Sequence, residues 1–362
     1  MSVSEKTYKA AVLVEQGRSP KFEIRALPLP TLGPTDILVR LSVTSVCGTD
    51  CGQAAGELGP TRPVIGHEGV GHIAALGDSV HLIDPTIAVG QRAGVAWNRD
   101  ACGTCAFCTD TSRDGETRCA GLFQSGRTAD GTFAEYAVVP ARYLLRIPEE
   151  QFGGVPDELV APVLCGGVTA YKAVKTLDVV PGSWVAVSGG GGGVGAFAVA
   201  FAKAMGYRVI AVDAGEVKGK HALSEGAEHF VDITAEEDVG KRVKALTGGL
   251  GAGAVIVAAG SGKAYQAAFS MLGPFGTLMC VGIPPADHLV NFHPLFFVGN
   301  GWRLVGSAVG TRRDTLEALE FVKRGVVVPK VQWAELSKMG ELMIDVGKGK
   351  IQGKYVVKLD NL

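Results

Sequence analysis

What this chain of 362 residues lacks narrows its function first. It has no surplus of charge: 35 Lys and Arg stand against 36 Asp and Glu, a formal net charge of −1, and the cations are dispersed with no basic run. A nucleic-acid surface needs a positive stripe, so no nucleic-acid partner is expected and a small-molecule partner is. No secretory leader is expected either. The apolar run in "MSVSEKTYKAAVLVEQG" is only five residues, too short for the core of a signal peptide. The closing "KLDNL" matches no lipidation or retrieval signal. Val179 to Ala202 is uncharged for 24 residues, long enough to cross a bilayer, but Pro181 and the glycines from 189 to 193 would break a lipid-exposed helix. No membrane partner is therefore expected. These absences point to a cytoplasmic protein, in which eight cysteines serve as thiolates for metal rather than as disulfides.

What the chain has in abundance is glycine, 51 residues of it, in a composition that is 47% apolar and 20% charged. That describes a globular protein with many tight turns or close backbone approaches. The length exceeds one ordinary core and suggests about two domains. From Tyr8 to about Pro148, short runs such as "AAVLV", "ILVRLSV", "GVGHIAAL" and "EYAVV" alternate with Gly, Pro, Asp and Asn clusters, an antiparallel β texture. After Pro162 strands and helices alternate: "WVAVSG", an Ala-rich helix to about Met205, "RVIAVD", "HFVDI", "AVIVAAG", a helix around Tyr265 to Leu272, "GTLMCVGI" and "LVGSAV". Such alternation predicts a doubly wound parallel sheet, an α/β fold. The tail from Arg312 reads as helix, loop, helix and the strand "GKYVVKL".

Two motifs carry chemistry. In "WVAVSGGGGGVGAFAVAFAKAMGYRVIAVD", Gly190, Gly192 and Gly195 follow a strand and open a helix in G-x-G-x-x-G spacing. Backbone amides and a helix N-terminus there would hold a pyrophosphate. Asp213 ends the next strand, 18 residues past Gly195. A carboxylate there accepts from ribose hydroxyls and repels a 2′-phosphate, so NAD(H) is expected rather than NADP(H). A flexible polyglycine loop is the plainer alternative, disfavoured by the strand, helix and acid in place. In "CGTCAFCTDTSRDGETRC", Cys102, Cys105 and Cys108 stand at C-x2-C-x2-C with Cys119 beyond. Four thiolates in one loop predict a closed, structural zinc site, with an iron–sulfur cluster as its rival. Its formal charge would be −2, to be offset by backbone N–H groups.

Cys47, His67 and Cys165 are too far apart for spacing to join them, and a buried inert thiol is the usual fate of a lone Cys. A resemblance joins them. "GHEGVGHIAALGDSV" fits the G-H-E-x2-G-x5-G-x2-V signature of the zinc-dependent alcohol dehydrogenases of the medium-chain dehydrogenase/reductase superfamily. "VCGTD", the four-cysteine loop, "VLCGGVTAYKA", "AKAMGYRVIAVDAGEVK" and "GKIQGKYVV" extend the match over essentially the whole chain, toward the yeast-type tetrameric enzymes.

That resemblance implies a GroES-like β-rich catalytic domain, 1–162 and 308–362, holding two zinc ions, interrupted by a Rossmann domain over 163–307, with the active site in the cleft. It implies Cys47, His67 and Cys165 as catalytic zinc ligands, with Glu68 as an alternate ligand or supporting carboxylate. It makes Thr49 the hydroxyl that takes the alcohol proton and Asp50 the carboxylate that orients a ligand. Gly193, Val194, Thr169, Lys218 and Lys354 would meet the dinucleotide, Lys354 standing where the yeast-type enzymes carry Arg. The implied reaction is hydride transfer between NAD(H) and an alcohol or its carbonyl partner, in a homotetramer. Gly66, Gly69 and Gly71 are expected to serve close approach at the metal, and His72 to be a solvated strand residue.

The chain also departs from that family. Gly48 stands where many members carry His or Arg against the pyrophosphate, and Gly52 where a histidine relays the proton. Leu58 replaces a tryptophan of the substrate pocket, whereas Trp97 keeps the opposite wall, which predicts a substrate bulkier than ethanol. The loop before Cys119 is longer than the usual seven residues. A polyol or specialised-metabolite oxidoreductase is the second expectation, and a non-catalytic dinucleotide-binding protein with one zinc the third.

Overall fold

The computed structural model describes residues 7–110 and 115–359. The longer spacer before Cys119 includes residues 111–114, which lie outside the described residues. The chain divides into two compact units: Met1–Cys165 with Thr311–Lys323 and Val328–Leu362, and Gly166–Gly310 with Arg324–Val327.

The first unit opens with nine strands: β1 (Thr7–Glu15), β2 (Lys21–Pro28), β3 (Asp36–Ser45), β4 (Gly69–Leu76), β5 (Arg92–Val95), β6 (Asn98–Asp100), β7 (Phe123–Gln124), β8 (Tyr136–Pro140) and β9 (Leu145–Arg146). The second contributes β10 (Trp184–Ser188), β11 (Arg208–Asp213), β12 (His229–Asp232), β13 (Ala252–Val257), β14 (Leu272–Cys280) and β15 (Arg303–Gly306). The chain then returns to the first unit for β16 (Val331–Ala334) and β17 (Lys354–Lys358).

A seven-stranded sheet, β16-β17-β3-β4-β5-β9 with β8 also on β3, forms the core of the first unit. β3 is paired on both sides and buries Ile37, Val39 and Leu41, which meet Ile73, Phe133 and Val357 in one apolar cluster. His72 on β4 is exposed opposite Arg40, on the solvated face of the pleat as expected. Most pairings are antiparallel, but β16 runs parallel to β17. The sequence reading missed β16 because it is a four-residue edge strand whose Trp333 is exposed, leaving no apolar alternation to read. It also missed helix Gly48–Ala55, whose polar "GTDCGQAA" has no amphipathic stripe, and helix Pro294–Asn300, none of whose residues is buried.

The second unit is a six-stranded sheet in the order β12-β11-β10-β13-β14-β15, every adjacent pair parallel. Its central strands are buried along nearly their full length, as β10, β11 and β13 show, because helices cover both faces of a parallel sheet. Full burial of side chains such as Ile210, Val255 and Ile256 contributes roughly 1.5–3 kcal/mol each. The strand order reverses between β10 and β13, the position where open α/β sheets bind ligands.

Candidate active site

Cys47 follows β3 and caps helix Gly48–Ala55. The helix starts there because Asp50 folds back in a capping box, its Oδ2 accepting from the Cys47 N–H at 2.8 Å. The other oxygen of the same carboxylate, Oδ1, lies 2.7 Å from His67 Nδ1. One fully buried aspartate thus anchors the backbone of one candidate ligand and the ring of another. Cys165 comes in after the single 3₁₀ turn Ala161–Leu164. Ligand atoms of Cys47, His67, Glu68 and Cys165 all lie within 4.8 Å of one another, and all four residues are buried. Three remote segments therefore meet where spacing alone said nothing.

The electrostatics of this cluster call for a cation. Cys47 Sγ and Cys165 Sγ are 3.8 Å apart. Their hydrogen bond pulls the Cys47 thiol well below its ordinary range and pushes Cys165 well above it, so without a cation the pair keeps one proton. Burial works against a charged His67, yet the charge and hydrogen bond of Asp50 overcome it and favour positive charge on the ring. His67 Nε2 is nevertheless buried with no hydrogen-bond partner. A metal on Nε2 satisfies that atom and allows both thiols to ionise. Two sulfurs each about 2.3 Å from one zinc at tetrahedral angles stand about 3.8 Å apart, so the donor set fits zinc.

Glu68 is completely buried. Burial raises its pKa to about 7, against the opposing pull of Lys354. Lys354 Nζ donates to Glu68 Oε1 at 2.8 Å, and Lys354 is itself buried. Ser45 Oγ donates to the second oxygen, Oε2. The charge on Lys354 is thus engaged inside the first unit by a carboxylate, a contact the sequence reading did not foresee. Ser45 was missed altogether, because a serine two positions before a cysteine carries no local signal.

Cys102, Cys105, Cys108 and Cys119 also gather within 4.8 Å of one another. Cys102 and Cys108 are 3.9 Å apart, again the spacing of a tetrahedral thiolate site. The N–H groups of Cys102 and Gly121 donate to Cys119 Sγ, and those of Thr104 and Cys105 to Cys102 Sγ, at 3.2 to 3.5 Å. The bonds from Thr104 and Cys105 lower the Cys102 thiol to about 6, whereas desolvation lifts Cys108 to about 12. Backbone donors are thus present to offset the sulfur charge.

In the second unit the glycine loop follows β10, and helix Gly193–Ala204 starts at Gly193 with Gly192 as its cap. A Cβ on Gly195 would lie 1.9 Å from the carbonyl oxygen of Gly189, so only glycine lets the helix approach the loop this closely. Gly190 is buried, Gly193 exposed and Val194 half-buried. Asp213 ends β11, accepting from the Gly191 N–H at 3.0 Å on Oδ2 and from Lys218 Nζ at 3.0 Å on Oδ1. Gly191, which the motif spacing passed over, is therefore the residue that ties the acid to the loop.

The remaining expected positions lie as follows. Thr49 is half-buried in the first turn of helix Gly48–Ala55, and Thr169 in helix Gly166–Lys175 of the second unit. Trp97 stands edge-on to His67, ring centroids 5.2 Å apart. A Cβ on Gly48 would meet nothing within 4 Å, whereas one on Gly52 would lie 3.1 Å from Leu58. Leu58 thus packs over the place a side chain at position 52 would take. The glycines of the signature are crowded by neighbouring segments. Gly66, at φ +100, leaves room for Phe133 and Thr132, Gly69 for Thr132, and Gly71 for the backbone at Arg40. Close packing of these chain segments beside His67 and Glu68 requires glycine there.

A GroES-like β unit carrying two zinc-compatible clusters, with a parallel-sheet unit carrying a dinucleotide loop, defines a zinc-dependent dehydrogenase. Comparison with known proteins agrees. Residues 33–149 match the alcohol dehydrogenase GroES-like domain, and residues 193–324 the zinc-binding dehydrogenase family. The alcohol dehydrogenase of Geobacillus stearothermophilus is 40% identical, with 97% of this chain and 99% of the relative covered. Alcohol dehydrogenase 1 of Emericella nidulans is 38% identical, over 92% of this chain and 93% of the relative. The crystal structure of an alcohol dehydrogenase from the archaeon Aeropyrum pernix superposes with a TM-score of 0.83 at 29% identity, covering 97% and 99% of the two chains. The chain belongs to the zinc-dependent alcohol dehydrogenases of the medium-chain dehydrogenase/reductase superfamily.

Proposed function

We propose that this enzyme transfers hydride between NAD(H) and an alcohol, or its aldehyde or ketone partner, bulkier than ethanol, at a zinc held by Cys47, His67 and Cys165. The buried two-sulfur, one-imidazole cluster, with its partnerless His67 Nε2, carries the reading. When bound, zinc supplies a Lewis acid for the substrate oxygen and the nicotinamide an acceptor for hydride. The chain's own residues do the rest. Asp50 holds His67 with its proton on Nδ1, so that Nε2 presents a lone pair. Thr49 offers the hydroxyl that receives the alcohol proton, and Trp97 forms an apolar wall beside His67. Asp213, held by Gly191 and Lys218, accepts from the ribose hydroxyls and disfavours a 2′-phosphate. The four-cysteine cluster is assigned a structural zinc.

Leu58 over Gly52 leaves an aliphatic side chain where a relay histidine would stand, so the proton leaves the hydroxyl of Thr49 without an imidazole to carry it. Restoring one takes the pair Gly52→His and Leu58→Ala, which should shift the pH profile of alcohol oxidation toward neutrality; an unchanged profile sinks this assignment. β15 is an edge strand exposed along its length, and Leu289, Phe292, Leu295, Phe296 and Val298 are exposed in the chain leading to it. Such an apolar edge supports assembly with further copies, read as a homotetramer. Eight unpaired cysteines support a cytoplasmic setting. Metal counting by mass spectrometry, with alcohols and aldehydes assayed by NADH absorbance, tests the whole reading. It expects two zinc ions per chain and faster turnover of a branched or aromatic alcohol than of ethanol. One zinc and no redox activity would reduce the protein to a dinucleotide binder.

A further inference from the structure

Ser45, the last residue of β3, is fully buried and stands two positions before Cys47. It is tied to Glu68 twice: its N–H donates to the Glu68 carbonyl at 3.0 Å, and its Oγ to Glu68 Oε2. Lys354 Nζ takes the other carboxylate oxygen at 2.8 Å. Sheet register sets both donors in place. β17 pairs Val356 with Ser45, and Val46 N–H reaches the carbonyl of Tyr355 at 3.0 Å, which brings Lys354 to the same end of β3. Each carboxylate oxygen of Glu68 therefore has its own donor.

A Glu68 oxygen nonetheless lies within 4.8 Å of the ligand atoms of Cys47, His67 and Cys165. That is close enough for a modest side-chain rotation to make it a fourth ligand. To turn, it must give up a hydrogen bond in a fully buried place, where a lost bond is costly. Removing Lys354 would strand a buried carboxylate, but removing the neutral hydroxyl of Ser45 takes one donor from Oε2 and leaves the ion pair intact.

We infer that Ser45 is a positioning residue whose hydroxyl latches Glu68 away from the metal, keeping the fourth coordination position for water or substrate. This rests on the reading of Cys47, His67 and Cys165 as zinc ligands. Without the latch the carboxylate completes a four-ligand protein shell, holding the metal more tightly and closing it to exchange.

Zinc release into the chromogenic chelator 4-(2-pyridylazo)resorcinol tests the latch, with the four-cysteine zinc as internal reference. Ser45→Ala should slow release from the buried cluster on the order of tenfold, the scale on which neighbours of ligands tune metal affinity. The visible bands of cobalt placed in that cluster should shift in the absence of substrate. Ser45→Thr, which keeps the hydroxyl, should behave as the parent, and adding Glu68→Gln to Ser45→Ala should restore the parental release rate. Unchanged or faster release with unchanged cobalt bands, in folded Ser45→Ala or in Ser45→Gly should the alanine variant not fold, overturns the latch. Failure of the ligand reading would look different: the parent protein would then release a single zinc per chain.

Discussion

The two cysteine clusters of this enzyme are built on opposite plans. Cys102, Cys105, Cys108 and Cys119 come from one stretch of chain, the first three only half-buried, and their charge is met by the N–H groups of the loop itself. Cys47, His67 and Cys165 come from three remote segments, are buried, and draw on outside side chains: Asp50 on the imidazole, Lys354 and Ser45 on the adjacent Glu68. Four sulfurs close a tetrahedron and leave a metal nothing to do but hold the loop. Two sulfurs and an imidazole leave a position open and the ion formally neutral with its ligands, a better Lewis acid. Local donors make a staple, whereas remote donors make a site whose charge can be tuned.

That contrast can be broken most directly by removing one sulfur from each cluster. Cys165→Ser should cut kcat/KM by more than about 100-fold, beyond the range that neighbours of ligands reach, while the melting temperature stays near that of the parent. Cys105→Ser should do the reverse, lowering the melting temperature by several degrees, with activity lost only as the chain unfolds. If both variants lose stability and activity alike, the division of labour is wrong. Zinc counting after each change identifies which ion left.

The next sharpening concerns the outside support. Asp50→Asn keeps the shape but lets the amide donate as readily as accept, so His67 Nδ1 loses the charged acceptor 2.7 Å away. Zinc affinity and kcat/KM should each fall about 10–100-fold, read by chelator competition and initial rates. Asp50 bonds to His67 and Cys47 and not to the four-cysteine cluster, whose zinc should be unaffected. The smallest effect is expected at Gly48. Space there is open, and the Lys354 charge is already paired with Glu68, so Gly48→Arg adds a cation the parent lacks. The dissociation constant for NADH should tighten about threefold or more, measured by fluorescence titration; a smaller gain removes the missing-cation argument.

The same contrast explains what was legible beforehand. The four-cysteine loop and the glycine loop with Asp213 could be read from spacing, because each motif lies within one short stretch of chain. The parallel sheet could be read from buried runs such as "AVIVAAG". Edge strand β16 and the short helix Gly48–Ala55 could not, since pairing and a capping carboxylate, rather than periodicity, hold them in place. For Cys47, His67 and Cys165 only resemblance joined the residues, and for Ser45, Gly191 and the Lys354–Glu68 pair nothing did.

By itself the sequence determined the chemistry available: eight thiols, an H-E pair, a glycine turn before a helix and an acid at the end of the following strand. These depend on residues a few bonds apart, whose relative geometry is limited by the backbone. Only the tertiary structure decided which of those groups face one another, that Asp50 serves two ligands at once, and that Glu68 is held between a lysine and a serine. Those contacts span up to 286 residues, and strand register in the sheet is what converts such distances along the chain into separations of about 3 Å.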